Sequence, residues 1–169
     1  IQACFGEESM SILAVLALSL SLSAAAGARP AAVCKPQVAA KKIVLAFPDG
    51  ATIKADVADS PATRETGLMC RTKLPKDYGM LFVFPAERNV GFWMKNTLVC
   101  LDLVWIGAVK KVTVVAPRLK ASTVDTPEDK VARAGGRGQY VLELPAGAAK
   151  RHGLKAGDTL DFEVAIPPR

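Results

Sequence analysis

The chain has 169 residues, of which 50% are hydrophobic, 22 are Lys or Arg, 16 are Asp or Glu, four are Cys and one is His. This length suits one domain, and a charged fraction of 22% among so many apolar residues excludes a disordered polymer. A single His excludes metal sites built from two or three His ligands. An aromatic content of 6% excludes a long stacking platform for single-stranded nucleic acid. No metal, cofactor or nucleic-acid partner is therefore predicted.

Residues 1–28 are predicted to be a signal peptide. No charged residue occurs from Ser9 to Ala28, and the segment ends in the small residues Ala26-Gly27-Ala28. Its apolar run is shorter than the roughly 20 residues that span a bilayer, so no membrane span is expected after cleavage. The chain begins with Ile1 and lacks a basic segment before the apolar run, and residues 1–9 are therefore interpreted as a misplaced start.

These features predict a periplasmic or secreted protein, with an N-terminal linker over residues 29–41 and a single β-rich domain over residues 42–166. Removal of Glu7 and Glu8 with the signal leaves 22 basic and 14 acidic residues, a net charge of +8. An anionic envelope polymer or an envelope protein is the natural partner of such a surface outside the cytoplasm. The basic residues are scattered, however, and an ordinary solvated surface is favoured over a binding patch.

The first predicted elements are a β-hairpin and a short helix. Residues 42–47 and 52–57 are predicted to pair, because the turn sequence Pro48-Asp49-Gly50 separates them. The helix is predicted to begin at Ser60-Pro61, where Ser caps the helix and Pro needs no hydrogen-bond donor. Gly67 is predicted to end it.

The rest of the chain contains short apolar or alternating runs that are predicted to be strands. They cover residues 80–84, 101–106, 111–116, 139–144 and 159–164. A second short helix is predicted between Pro145 and His152, and residues 121–138 are predicted to be a long loop. Six or seven short strands separated by Gly and Pro indicate a mainly β fold. The expected architecture is an antiparallel β-sandwich or jelly-roll-like barrel with one or two short helices.

Several short sequence blocks follow one another in a fixed order. They are Gly67–Arg71, Gly79–Phe82, Trp93–Thr97, Leu101-Asp102, Leu142–Gly147 and Gly157-Asp158. This series resembles the domain of unknown function 192 family of small bacterial and archaeal proteins, many of them exported. The resemblance implies a compact β-rich fold of sandwich or jelly-roll type, and it implies no reaction, substrate or catalytic residue. The family has Pro just before the Leu-Asp pair, where this chain has Cys100.

Aromatic residues in and near these blocks are candidates for a binding site. Trp93, together with Phe92 and Trp105, would offer ring faces on which a sugar stacks. The alternative, which is more common for such residues, is that they fill a core or anchor a loop.

Charged and amide residues of the same blocks are further candidates. Lys95, Asn96 and Asp102 would form a polar group in which the ammonium lowers the carboxyl pKa. Asn and Asp next to a tight loop more often bond to the backbone, and a structural role is favoured. Asp102 and Glu143 each lie inside an apolar run, where a buried carboxylate needs a partner. Arg71 is predicted to pair with one of these two carboxylates, either as a structural clamp or as part of a site.

One disulfide is predicted, because export places the domain where disulfides persist. Cys70 and Cys100 lie in neighbouring blocks and are the candidate pair, which leaves Cys34 free or paired with another chain. The alternative is that Cys70 and Cys100 are small buried hydrophobes.

Three functions remain open from the sequence alone. The favoured one is a non-enzymatic exported domain that binds a ligand or partner in the cell envelope through residues 93–102. The second is a hydrolase that acts on an envelope polymer with Asp102 and Glu143 as acid and base. The third is an envelope assembly or stability factor without a small ligand. The sequence contains no recognised catalytic motif.

Overall fold

The computed structural model describes residues 34–168, and within this range the chain forms seven strands, two short α-helices and one 3-10 helix. The strands are Lys42–Ala46 (β1), Thr52–Ala58 (β2), Tyr78–Trp93 (β3), Leu101–Ile106 (β4), Val112–Leu119 (β5), Arg133–Pro145 (β6) and Asp161–Phe162 (β7). The α-helices are Pro61–Thr66 (α1) and Ala148–Arg151 (α2), and the 3-10 helix is Glu128–Lys130. The predicted mainly β class with short helices is confirmed.

The strands form one mixed sheet in the order β5-β4-β6-β3-β2-β1-β7. Neighbouring strands are antiparallel except β2 and β3, which are parallel and are connected through α1. The sheet curls until its two ends approach each other. At that point the Val112 N–H donates to the Asp158 carbonyl (2.7 Å), and the Leu160 N–H donates to the Lys110 carbonyl (3.0 Å). The result is a half-barrel in which a parallel pair interrupts an otherwise antiparallel sheet.

Local sequence signals account for the start of α1. The Ser60 side chain accepts a hydrogen bond from the Thr63 backbone N–H, and the Thr63 side chain accepts one from the Ser60 N–H. Pro61 occupies the first turn, where an N–H has no intrahelical acceptor in any case. Gly67 ends the helix with a φ of 49°, a left-handed value that favours glycine. The predicted helix boundaries are confirmed.

Both faces of the sheet are buried, which explains why β3 and β4 are continuous apolar runs. One face, called here the α2 face, packs against α2, and its core includes Leu45, Ile53, Leu81, Val104, Leu142, Phe162, Ala148 and Ala149. The opposite face, called here the α1 face, has a core that includes Leu68, Met80, Phe82, Leu103, Trp105 and Val141. A charged side chain in the central strands is therefore buried whichever way it points.

Strands β3 and β6 are longer than predicted. The prediction of a loop is wrong for residues 133–138, which form the first half of β6 and pair with residues 88–93 of β3. The glycines in this segment give no apolar pattern, and only the pairing makes it a strand. Strand β3 continues past Pro85 through a register shift between Val83 and Arg88, because a bulge tolerates a residue that cannot donate to the ladder.

Gly136 of β6 allows the Trp105 indole to lie against the sheet. A Cβ atom at Gly136 would be 2.8 Å from the indole Cγ, whereas a Cβ atom at Gly135 would meet its nearest neighbour at 3.6 Å. We expect Gly136→Ala to lower the free energy of unfolding by about 1–3 kcal/mol through overpacking. Gly135→Ala is the matched control and should change it by less than about 0.5 kcal/mol. Urea unfolding measures both, and equal effects of the two variants would contradict this account.

The N-terminal part of the described chain is attached to the domain. A disulfide joins Cys34 to Cys70, with a Cα–Cα distance of 5.5 Å. The predicted Cys70–Cys100 pairing is therefore wrong, because the segment before β1 runs beside Cys70. Gln37 holds this segment in place, since its side-chain amide donates to the carbonyls of Thr63 (3.0 Å) and Gly67 (2.8 Å).

The predicted signal peptide, residues 1–28, lies outside the described residues. Within residues 34–168, the structure contains no helix that is both long enough and apolar enough to cross a membrane.

Candidate functional site: a cleft between α1 and β3

A cleft of about 260 Å³ opens on the α1 face of the sheet. Residues 64–69 of α1 and the following turn form one wall, and residues 88 and 90–93 of β3 form the other. The buried side chains of Phe82, Phe84 and Glu143 line the cleft between these walls. Its volume is just below the range of about 300–1,000 Å³ that is typical of small-molecule sites. This α1–β3 cleft therefore accommodates a group about the size of one ring.

Glu143 provides a buried polar group in the α1–β3 cleft. The Leu68 backbone amide lies close enough to the carboxyl group to act on its pKa, whereas the Oε2 atom is buried without a hydrogen-bond partner among the described residues. Burial raises the pKa of Glu143 to about 8, although the Leu68 amide and the positive charge of Arg71 oppose this effect. The carboxyl group is therefore mostly protonated at neutral pH, and it can donate a hydrogen bond to a ligand as well as accept one.

Two arginine side chains line the cleft next to Phe84. The guanidinium carbons of Arg64 and Arg88 lie 5.2 and 5.0 Å from the centre of the Phe84 ring. Arg64 Nη1 donates to the backbone carbonyls of Asp59 (2.7 Å) and Val83 (2.9 Å). Burial and the neighbouring positive charge of Arg88 lower the pKa of Arg64. The two guanidinium groups thus bring like charges to the cleft beside Phe84, Arg64 from the α1 wall and Arg88 from the β3 wall.

Aromatic rings form the rest of the β3 wall. The Phe92 ring packs edge-to-face against Phe82 (4.8 Å between centroids) and Trp105 (6.1 Å). The three rings do not form an exposed platform, because Trp105 is fully buried and its Nε1–H donates to the Val90 carbonyl (2.9 Å). Trp105 instead fills the core, which is the more common role considered from the sequence. Trp93 is 46% exposed and lines the cleft. A ligand would therefore meet the face of a single tryptophan.

Comparison with known proteins agrees with the resemblance seen in the sequence. A family model named DUF192 and described as an uncharacterized ACR matches residues 44–162. The chain belongs to the domain of unknown function 192 family.

Two solved structures are similar to this family member. One is the crystal structure of a candidate transcription regulator from Sinorhizobium meliloti, which is 33% identical with a TM-score of 0.63, over 75% of this chain and 97% of that one. The other is a protein of unknown function from Novosphingobium aromaticivorans, which is 30% identical with a TM-score of 0.59, over 71% of this chain and 83% of that one. No curated protein matches the sequence.

Four of the blocks that carry the domain of unknown function 192 resemblance meet at the α1–β3 cleft. The first block contributes residues 67–69, and the others contribute Phe82, Trp93 and Glu143. Trp93 and Glu143, two of the binding candidates from the sequence, line the same cleft. Sequence reasoning missed Arg64 and Arg88. The only sequence signal for Arg64 is its position just before the first block, and Arg88 lies outside every block.

Arg71 has a different partner from those predicted. Its Nη2 atom donates to Asp56 Oδ2 (3.2 Å) and to the Gln37 carbonyl (3.2 Å), and the Tyr78 hydroxyl donates to the same Asp56 oxygen (2.6 Å). Burial, followed by the hydrogen bond to Asp56, raises the pKa of Tyr78. Arg71 thus forms its ion pair with a buried aspartate on β2, and it acts on Glu143 only through its charge.

Asp102 and Glu143 lie on opposite faces of the sheet. In the pairing of β4 with β6, Glu143 is opposite Leu103, whereas Asp102 is opposite Leu144. Cross-strand partners share a face and adjacent residues alternate, so Asp102 points to the α2 face and Glu143 to the α1 face. The prediction that these two carboxylates act together as acid and base is therefore wrong.

The Asp102 carboxylate binds the backbone on the α2 face. Its Oδ1 accepts from the Arg118 N–H and its Oδ2 accepts from the Ala149 N–H, each at 2.8 Å. The side chain is fully buried. The expectation that Asp102 is buried and bonded to the backbone is confirmed, and both of its oxygen atoms serve the fold.

Lys95 and Asn96 do not join Asp102 in the polar group that was considered from the sequence, whereas the favoured structural role agrees with their contacts. Lys95 Nζ lies 3.7 Å from Glu128 Oε2. The Asn96 side-chain amide lies 2.6 Å from Cys34 Sγ, and its backbone carbonyl accepts from the Cys70 N–H (3.0 Å). Both residues therefore hold loops beside the disulfide and the 3-10 helix. Within residues 34–168, no group of three His, Cys, Asp or Glu side chains is placed to hold a metal ion.

Proposed function

We propose that this protein is an exported, non-enzymatic domain of the cell envelope that binds a small organic ligand in the α1–β3 cleft. The observation that carries this proposal is the Glu143 Oε2 atom, which is buried without a hydrogen-bond partner in a cleft that opens to solvent. Buried polar side-chain atoms in folded proteins nearly always have a partner. A ligand with a hydrogen-bonding group next to its apolar part would supply the missing one.

Three features of the chain support export to the envelope. The uncharged apolar segment from Ser9 to Ala28 has the composition of a signal peptide. The chain also contains the Cys34–Cys70 disulfide, and disulfides persist in oxidising compartments but are rare in the cytosol. The excess of basic residues suits a setting that is rich in anionic polymers.

Binding is better supported than hydrolysis. The hydrolase hypothesis needs two cooperating carboxyl groups on either side of one bond, and Asp102 lies across the sheet from Glu143. The other buried carboxylate on the α1 face, Asp56, is bonded to Arg71 and Tyr78. Glu143 is thus the one carboxyl group among the described residues that both lines the cleft and has an unpartnered buried oxygen.

A blocked variant tests whether the cleft binds ligands. Gly91 lines the cleft, and a Cβ atom there would meet nothing within 4 Å. Gly91→Leu is therefore expected to fill the cleft without disturbing the fold. Asn89→Leu, two residues earlier on β3 and outside the lining, is the matched control. The probes are muropeptide fragments, oligosaccharides and small aromatic acids and amides, and the readout is the perturbation of amide NMR resonances of the purified protein.

We expect at least one probe to shift the resonances of Gly67, Leu68 and Glu143 in the unmodified protein and in Asn89→Leu. The same probe should leave the Gly91→Leu spectrum unchanged, because the leucine side chain occupies the space. If no probe shifts the cleft resonances, or if Gly91→Leu responds like the control, the proposal is wrong. The third hypothesis, an envelope factor without a small ligand, would then be favoured.

A further inference from the structure

We propose that the ligand of the α1–β3 cleft is an organic anion, whose carboxylate or phosphate group binds Arg64 and Arg88 while its apolar part lies against the aromatic wall. This inference rests on the proposed ligand-binding function and names the ligand class. It starts from the charges on the cleft wall, which are independent of the unpartnered Glu143 oxygen.

The two guanidinium groups lack anionic partners. Within residues 34–168, neither Arg64 nor Arg88 lies within 4.0 Å of a carboxylate oxygen. Arginine side chains on a solvated surface can move apart from one another, whereas Arg64 and Arg88 both lie against the Phe84 ring. An oxyanion between them would offset their mutual repulsion. The planar fork of a guanidinium suits a carboxylate or phosphate better than a neutral oxygen.

Arg64 is held in a fixed position, which reduces the entropic cost of binding an anion. Its Nη1 atom bonds to the carbonyls of Asp59 and Val83, and its remaining nitrogen atoms have no acceptor among the described residues. Arg88 is more exposed and reaches the cleft from β3. The arrangement thus combines one fixed donor group and one that can adjust to the ligand.

The other charged groups around the cleft define how the ligand is oriented. Glu65 is exposed at the α1 wall and repels an anion there. Glu143 offers a hydrogen bond from within the cleft, and Phe82, Phe92 and Trp93 present apolar surface. The anionic end of the ligand is therefore directed toward Arg64 and Arg88 beside Phe84, and its ring or chain toward Phe82, Phe92 and Trp93.

Three probes of similar shape and different charge test the ligand class. They are phenylacetate, phenyl phosphate and the neutral phenylacetamide, each titrated into the purified protein at about pH 7 and followed by NMR. Arg88→Gln is the test variant, because Arg88 is exposed and its removal leaves the backbone contacts of Arg64 intact. Arg137→Gln is the matched control, since it removes the same charge from an exposed position on β6 outside the cleft.

We expect one or both anions to bind more tightly than phenylacetamide, and Arg88→Gln to weaken that binding about five-fold, as the loss of one exposed charge contact would. Arg137→Gln should change it by less than half that amount. The better of the two anions distinguishes a carboxylate ligand from a phosphate ligand. If phenylacetamide binds in the cleft as well as the anions do, or if both variants weaken binding equally, the anion proposal is overturned and cleft binding stands. If none of the three probes shifts a cleft resonance, the anion proposal is overturned, and the wider probe set with Gly91→Leu then decides the ligand-binding function separately.

Discussion

Replacing Asp102 with Leu is expected to destabilise the domain by about 2–4 kcal/mol, because the buried Ala149 N–H and the partly buried Arg118 N–H lose their acceptor. The fully buried carboxylate accepts hydrogen bonds from the Arg118 and Ala149 backbones, each at 2.8 Å. These bonds tie β4 to the end of β5 and to the first turn of α2. Leu is larger than Asp and has no acceptor, so the Ala149 amide would stay buried and unpaired, and the Arg118 amide would lose its protein partner.

Two further variants make the Asp102 prediction specific. Asp102→Asn keeps one oxygen acceptor and should cost about 1–3 kcal/mol, roughly the penalty of a single unpaired amide. Asp161→Asn changes an exposed aspartate on β7 and should alter the unfolding free energy by less than about 0.5 kcal/mol. Urea unfolding without reductant measures all three. A Leu variant as stable as the Asn variant would show that the backbone bonds do not govern the effect.

The stability of the domain is expected to fall as the pH rises from about 5 to about 9, and Glu143 is expected to cause most of this loss. Burial raises its pKa from 4.5 to about 8 in the folded protein. Between these two values the folded state holds a proton that the unfolded state has released, so stability decreases with rising pH across this window. The contribution of Glu143 to stability is fully present below the pKa that it has in the unfolded protein, and it is lost above the pKa that it has in the folded protein. An elevation of this size corresponds to at most about 5 kcal/mol.

Glu143→Gln tests this pH dependence, because glutamine keeps the shape of the side chain and does not ionise. We expect its unfolding free energy to change much less between about pH 5 and about pH 9 than that of the unmodified protein. Glu65→Gln removes an exposed carboxyl group next to the same cleft and should retain the full pH dependence. If the Glu143→Gln and Glu65→Gln proteins show the same slope, the buried carboxyl group is not its source.

Much of the fold could be predicted where neighbours in the sequence are also neighbours in space. The Pro48-Asp49-Gly50 turn predicts the β1–β2 hairpin, and the Ser60-Pro61 pair predicts the start of α1, because turn and cap geometry depend on a few consecutive residues. The first half of β6 could not be predicted in this way. Residues 133–138 form a strand only because residues 88–93 of β3 lie beside them.

The candidate site was predictable only in part. Trp93 and Glu143 belong to recognisable blocks, and both line the α1–β3 cleft. Arg64 and Arg88 reach the cleft from a helix and a strand that are distant in sequence, and Phe84 brings their side chains together. The Cys34–Cys70 disulfide also joins segments that are distant in sequence. Its two cysteines come together because Gln37 docks the N-terminal segment against residues that surround Gly67.

By itself, the sequence indicated that Asp102 and Glu143 are either at least partly buried or at a strand end, because each lies between apolar residues, and both prove to be buried. Only the tertiary structure decided what each carboxyl group does. The β4–β6 register places Leu103, and not Asp102, opposite Glu143, and a shift of one residue in a strand reverses the face to which a side chain points. Asp102 therefore meets two backbone amides on the α2 face and stabilises the fold. Glu143 meets an open cleft on the α1 face. The sequence alone could not show this difference, because strand register depends on pairing between distant segments that a local sequence pattern does not specify.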